Sequence, residues 1–351
     1  MRILFLHHGM EDVSSRHRVR AFYPYMSADG ISWNEYPQRP QIYQNLPAPF
    51  SFKQYIYFRI FETIVNSLRA PAYDIVFVQR FIFPPRLECI DNIFRLSRHL
   101  VLDVQDAIFC RSGDEEPIFE KRLRRLCNMA SLLTVSNQFI ADWIGLPEKT
   151  IIMPSVIDCR SIPERNYTHK KGKVIIGWTG QAYQLDFIRP LFPVLDNLVK
   201  RGTVEVWFFT SSIKNKDDID DINKAGVKII QFSEEKEYEI LQQIDIGLMP
   251  MPQSVFDLGK FPLKLIKYMA AGASVVCSPV GSNMEIIEEG VHGYFACGPD
   301  EWYEKIIQLI NDKDMRVAMG KRGRKKVEEY YSVESNWPRL KKSLNNILKE
   351  R

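Results

Sequence analysis

Cysteine is scarce: six residues, at 89, 110, 127, 159, 277 and 297, stand in a chain of 351, none at redox or metal-ligand spacing. That scarcity argues against a disulfide-stapled secreted scaffold and favours a reduced compartment. No apolar run is long enough to span a bilayer, and the opening Met1–Leu6 stretch is too short for a signal peptide. It reads instead as a first buried strand. Neither sign of charge dominates, since 47 Lys and Arg face 43 Asp and Glu. The net charge of +4 is mild for this length, and with no nucleic-acid-reading motif it argues against a dedicated DNA or RNA binder. The six histidines form no HExxH or HxH pattern, so no metal held by the protein and no resident cofactor is expected. There is no repeat of fixed period and no low-complexity tract.

What is present is an alternation of short apolar runs with amphipathic segments, the pattern of an α/β fold with parallel strands. In the first half the spacing predicts strands at 2–7, 75–79, 100–104, 132–135 and 150–153, with amphipathic helices over 52–69 and 84–98. A polar, basic stretch at 158–172 reads as a linker. The alternation then restarts, with strands at 173–178, 203–210, 227–231, 245–249 and 273–277. The helices between and after them are expected at 187–200, 217–224, 235–242, 262–271, 283–289, 300–312 and 314–330, with a closing helix from Trp337 to Lys349. Two doubly wound, Rossmann-like domains are therefore expected: residues 1–165, with the terminal helix at about 333–351 packing back on them, and residues 170–331. Ligands in such sheets bind outside the carboxyl ends of the strands, which makes a cleft between the domains the default site.

The segment DLGKFPLKLIKYMAAGASVVCSPVG, from Asp257 to Gly281, is the most informative. Pro262 suits the first turn of a helix and Gly272 its end. Leu263, Ile266 and Ala270 share one face, and Lys264 and Lys267 lie on another. Cations at a helix N-terminus oppose its macrodipole by about 0.3–1 kcal/mol each when exposed. Lys260 and Lys264 are misplaced unless a polyanion such as a diphosphate sits there, where amides and ammonium groups converge on it. A solvated lysine face is the plainer reading.

This segment resembles the donor-binding region of glycosyltransferase family 4, the retaining GT-B enzymes grouped as glycosyl transferases group 1. The resemblance rests on Asp245–Pro250 (DIGLMP), then GKFPLKLIKYMAAG, then Val275–Gly281 and Glu285–Ile287. Upstream, Ile176–Gly180 (IGWTG) is similar to the family's glycine loop, and downstream Gly290–Tyr294 is similar to its G-x-x-G-hydrophobic turn. Many members carry two glutamates eight positions apart around this helix, for the donor sugar and the ribose; here those positions are Gly259 and Lys267. Lys267 can donate to a ribose hydroxyl but cannot accept from one.

The resemblance implies a GT-B architecture and a hexosyltransferase-like enzyme. It would transfer a sugar from a nucleotide-sugar donor to a glycan or lipid-linked acceptor, with retention and without a metal. Donor-side roles then fall to Lys260, Lys264, the Phe261 and Leu263 amides, Gly180, Gln181, Lys267, Gly281, Glu285 and, at the base, Ser233. In the first half, Asp106 is the candidate cleft carboxylate, with a helix cap as the competing role. His8, Arg16 and Arg18 are candidates for the acceptor side, against an ordinary surface loop. Thr134–Asn137 reads as a helix cap. Aromatics at 50–61 and the Arg122, Arg124, Arg125 cluster could dock on anionic lipid at the inner face of the cell membrane; a core-facing helix and a solvated charge run explain them as well. Catalytically impaired GT-B subunits and GT-B epimerases share these features and stand as alternatives to the transferase reading.

Overall fold

Strands that read as continuous Val, Ile, Leu and Phe runs have no polar face to show water, so they form parallel sheets covered on both sides. The computed structural model describes residues 1–10, 12–37, 61, 64–65, 68–80, 91–92, 94–110, 116–167 and 172–349. Its strands make two six-stranded sheets, every pairing parallel. The first holds β1 (Arg2–His7), β2 (Ser32–Pro37), β3 (Ile75–Gln79), β4 (His99–Val104), β5 (Leu132–Val135) and β6 (Thr150–Ile152) in the order β2-β1-β3-β4-β5-β6. The second holds β7 (Val174–Gly180), β8 (Val204–Thr210), β9 (Val227–Gln231), β10 (Ile246–Met249), β11 (Ser274–Cys277) and β12 (Gly293–Phe295) in the order β12-β11-β10-β7-β8-β9.

Two strands escaped the sequence reading, β2 and β12, and both lie at sheet edges. Edge strands are short or polar: β2 reads Ser-Trp-Asn-Glu-Tyr-Pro and β12 has three residues. The expected 187–200 helix is interrupted. Pro190 and Pro193 divide it into Leu185–Ile188, a 3-10 turn Arg189–Leu191 and Phe192–Lys200. The expected 314–330 helix is Lys313–Lys326, closed by a π turn, Val327–Tyr331. Most of the helices expected over 52–69 and 84–98 lies outside the described residues.

The chain divides into two compact units, Met1–Val156 with Leu258–Phe261 and Val333–Arg351, and Ile157–Asp257 with Pro262–Ser332. The polar stretch from 158 therefore does not stand apart as a linker. Arg165 donates to Asp245 Oδ1 at 2.7 Å and Tyr167 to the Gly272 carbonyl at 2.9 Å, so residues to 167 are bound into the second unit. In the first unit, Ile3, Phe5, Phe77 and Val101 share a core with Trp337, Leu340 and Leu344 of helix Val333–Ile347. Trp337 donates its indole N–H to Asp29 at 2.6 Å. In the second unit, Ile176, Trp178, Phe208 and Leu248 pack against Leu195, Trp302 and Ile306.

Candidate functional site

In each sheet the strand order reverses once, between β1 and β3 and between β10 and β7, and the carboxyl ends of those strands are where a doubly wound fold leaves a crevice. In the second unit β7 ends at Gly180 and β10 at Met249, followed by helix Leu263–Ala270. Tyr268 holds this helix in place. Its ring covers Gly247, where an added Cβ would meet ring carbon at 2.4 Å, and its hydroxyl accepts the Thr179 N–H at 2.6 Å. Burial raises the Tyr268 phenol well above its ordinary range, so it stays neutral.

The helix N-terminus is thereby fixed beside the end of β7. Lys264 Nζ lies 5.0 Å from the centre of the Trp178 ring and donates to Gln184 Oε1 at 2.7 Å. The Gln181 N–H donates to the same oxygen at 3.1 Å. Gly180 is required here, since an added Cβ would fall 2.4 Å from the Trp178 ring and 2.8 Å from Lys264 Nζ. An ammonium, a backbone amide and the first-turn N–H groups of the helix from Leu263 onward thus gather at the switch point, the donor set of an oxyanion site. Lys264, Gln181, Gly180 and Leu263 are the predicted residues that the fold brings together. Trp178, Gln184 and Tyr268 were not foreseen; Gln184, three residues beyond Gln181, is the one a capping pattern could have signalled.

Lys267 departs from the expectation of a donor contact. It is 5 % exposed, and its Nζ donates to Glu237 Oε1 at 2.6 Å, with Glu237 itself 2 % exposed. Lys260 and Phe261 belong to the first unit, as does Gly259, whose added Cβ would lie 2.2 Å from that of Ala107. No side chain fits at 259. Gly281 takes φ +50°, which only glycine adopts freely, and opens the short helix Ser282–Ile286 with Glu285 exposed on it. Ser233 follows β9 and is half-buried.

The first unit gathers a second polar cluster at its own switch point. Arg80, directly after β3, has φ +60° and is the non-glycine residue of positive φ among those described. Such strain persists where the surroundings impose it, and functional sites are where it collects. Arg80 pairs with Asp106 and donates to Ser14 Oγ at 3.0 Å. The Asp106 carboxylate thus serves an ion pair. His7, buried at the end of β1, shares a 3.0 Å hydrogen bond with Glu35. Burial alone would raise the Glu35 carboxyl; hydrogen bonds from His7 and Tyr23, with Arg20 nearby, outweigh it and hold the group below its usual range.

Arg18, expected on the acceptor side, is 4 % exposed and binds the Asp103 carboxylate through Nε at 2.9 Å and Nη2 at 2.5 Å. Thr134 donates to the same carboxylate at 2.6 Å, so this is a core network and not a substrate contact. Arg16 is half-buried and donates to His17 Nε2 at 3.1 Å, while His8 is half-buried after β1. Asn137 caps helix Gln138–Ile144 by accepting the Ile140 N–H at 3.1 Å. The arginine cluster is spoken for internally. Arg122 is wholly buried on Asp91, Arg125 joins it at 3.0 Å, and Arg124 lies 4.2 Å over the Trp143 ring. The aromatics at 50–61 fall outside the described residues apart from Phe61. Among the described residues no helix is long and apolar enough to cross a membrane.

The family model for glycosyl transferases group 1 matches residues 219–326, the part of the second unit that holds helix Leu263–Ala270. Spore coat protein SA of Bacillus subtilis (strain 168) is 23 % identical over 330 residues, covering 82 % of this chain and 81 % of that protein. The capsular polysaccharide biosynthesis glycosyltransferase CapM of Staphylococcus aureus is 22 % identical over 202 residues, 55 % of this chain and 52 % of its own. Among solved structures, sucrose-phosphate synthase of Thermosynechococcus elongatus superposes with a TM-score of 0.76 at 12 % identity, both chains covered completely. Anabaena Alr3699/HepE, crystallised with UDP and glucose, gives a TM-score of 0.70 at 16 % identity, covering 98 % of this chain and 99 % of that one. These likenesses establish the GT-B fold.

Proposed function

We propose that the chain is a glycosyltransferase of group 1 that transfers a sugar from a nucleotide-sugar donor whose diphosphate is held at the β7/β10 switch point. The observation that carries this reading is the convergence of Lys264 Nζ and the Gln181 N–H on one oxygen, Gln184 Oε1, at 2.7 and 3.1 Å. A diphosphate oxygen in that position would accept the same two bonds, and the Gln184 side chain would swing aside to admit it. Breaking the bond at the anomeric carbon drives negative charge onto the leaving diphosphate, and donors fixed in advance lower that barrier. Lys264, on a helix that Tyr268 locks to β7, meets this requirement, and its cationic charge supports a reaction that uses no metal.

Gly281 and Glu285 would hold part of the donor, and Ser233 the base. In the first unit Asp106, set by Arg80, would offer its carboxylate to sugar hydroxyls, with His8 and Arg16 on the side of a glycan or lipid-linked acceptor. Retention of anomeric configuration follows from the family resemblance, with the leaving phosphate assisting attack on the same face. The cysteines favour the cytoplasm, among the described residues five being free thiols.

A thermal-shift screen of the purified chain against nucleotide sugars tests the reading, because a ligand that binds only the folded state raises its stability. Uridine diphosphate sugars come first, since HepE was crystallised with UDP. Transfer is then followed with and without a chelator, and the product anomer is read by NMR. No stabilisation by any nucleotide sugar would overturn the assignment.

A further inference from the structure

The amino-terminal edge of the second sheet carries a cavity of about 140 Å³, at the opposite end of the strands from Lys264. For scale, an engineered cavity of about 150 Å³ accommodates benzene. Strand β7 separates the two places: Val174 lines the cavity and Gly180 closes the switch point, roughly 20 Å apart at the usual rise of a strand.

The lining is strongly cationic. Arg165, Lys173, Lys313 and Arg316 contribute positive charge against one carboxylate, Asp245. That carboxylate is already engaged, accepting Arg165 Nη2 on Oδ1 at 2.7 Å and the Ile175 N–H on Oδ2 at 2.8 Å. Both arginines are anchored by main chain. Arg165 donates to the Ile244 carbonyl, and Arg316 to those of Leu309 and, at 3.2 Å, Ile310. Arg165 is 7 % exposed in its side chain, a nearly desolvated guanidinium. Lys313 opens the 14-residue helix Lys313–Lys326, where a cation opposes the helix dipole.

Part of the remaining wall is glycine backbone, at Gly272. Gly272 has φ +75°, and an added Cβ would stand 2.6 Å from the Tyr167 hydroxyl and 3.1 Å from Arg165 Cβ. Burial lowers the pKa of both Arg165 and Arg316, with Arg316 adding to the shift at Arg165, while Asp245 at both and Asp312 at Arg316 oppose it. Arg165 is buried and paired with Asp245, Arg316 is half-buried, and the exposed Lys173 and Lys313 add the excess of positive charge, which is favourable around an oxyanion.

We propose that this cavity is a second anion site, formed for a phosphate or phosphomonoester group and independent of the switch point that takes the donor. Two planar guanidinium groups and two lysines suit a tetrahedral oxyanion better than a carboxylate, which would use fewer of the donors.

The test is calorimetry on the full chain with inorganic phosphate and glycerol 3-phosphate, run on the native protein, Lys264→Gln and the double variant Lys173→Gln/Lys313→Gln. Both lysines of the double variant are exposed, so it should fold. Saturable binding is expected to survive Lys264→Gln and to weaken roughly tenfold in the double variant. A parallel flotation arm compares vesicles of phosphatidylcholine with and without phosphatidic acid. Binding of the acidic vesicles that the double variant loses would assign the phosphate to a lipid headgroup; binding of the small probes alone would assign it to a soluble ester. The proposal fails if no probe binds, or if binding disappears with Lys264 and is untouched by the double variant.

Discussion

Lys267 and Glu237 form a buried ion pair, 2.6 Å from Nζ to Oε1, with 6 % and 3 % of their side chains exposed. It ties helix Leu263–Ala270 to helix Glu237–Leu241. Removing one partner strands the other charge in the interior. Lys267→Met is expected to lower unfolding free energy by about 3–5 kcal/mol, and Lys267→Met/Glu237→Leu to recover most of it. Urea unfolding of the two variants decides this; a double variant no better than the single would refute a purely structural pair.

Lys264 lies on the same helix yet meets a different partner, Gln184, at 2.7 Å. Lys264→Ala is expected to weaken binding of the donor nucleotide by about 1–3 kcal/mol, the range for a charged hydrogen bond, with little change in stability. Titration calorimetry with the nucleotide reads the first and thermal melting the second. Unchanged affinity would remove Lys264 from the site.

At Arg80 the backbone is left-handed, with φ +60°. Glycine adopts this conformation without the clash that any Cβ meets. Arg80→Gly is therefore expected to be more stable than Arg80→Ala by about 1 kcal/mol, although both lose the ion pair with Asp106. Denaturant midpoints compare them directly. Equal midpoints would mean that the turn relaxes freely.

Gly259 occupies the position of a glutamate in many proteins that this chain resembles. Restoring it by Gly259→Glu is expected to destabilise by at least about 2 kcal/mol, because a Cβ there falls 2.2 Å from that of Ala107. Gain of transfer activity in Gly259→Glu at undiminished stability would contradict this.

His292 sets a pH dependence. Its Nδ1 accepts the Glu288 N–H at 3.2 Å, so the neutral ring is the bonded form. Burial, then Lys326 and Arg322, push its pKa below the ordinary value of 6.5. The unfolded chain thus binds the proton more readily, and the stability from His292 is present above pH 6.5 and falls away as the pH drops towards the folded pKa. His292→Gln should flatten the loss of melting temperature between pH 7.5 and 5.5. An identical slope in the variant would exclude His292 as the titrating group.

Much of this protein was fixed by local pattern. Apolar runs of four to seven residues specify strands buried on both faces, as β3 and β10 are, and the 3.6-residue period places Ile266 and Ala270 in the core, while Leu263, expected on the same face, is half-buried in the helix's first turn. The lysines before and within that helix raise the expectation of an anion site, because charge against a helix dipole is a local property. Which partner each lysine meets was decided by tertiary structure. Lys264 and Lys267 are equivalent by spacing, but Glu237, 30 residues upstream, claims one and Gln184, 80 residues upstream, meets the other. Arg18 was likewise taken into the core by Asp103, 85 residues away. A single side chain has the same local sequence whether its partner is water, substrate or a buried carboxylate; the order in which parallel strands assemble determines which one it meets.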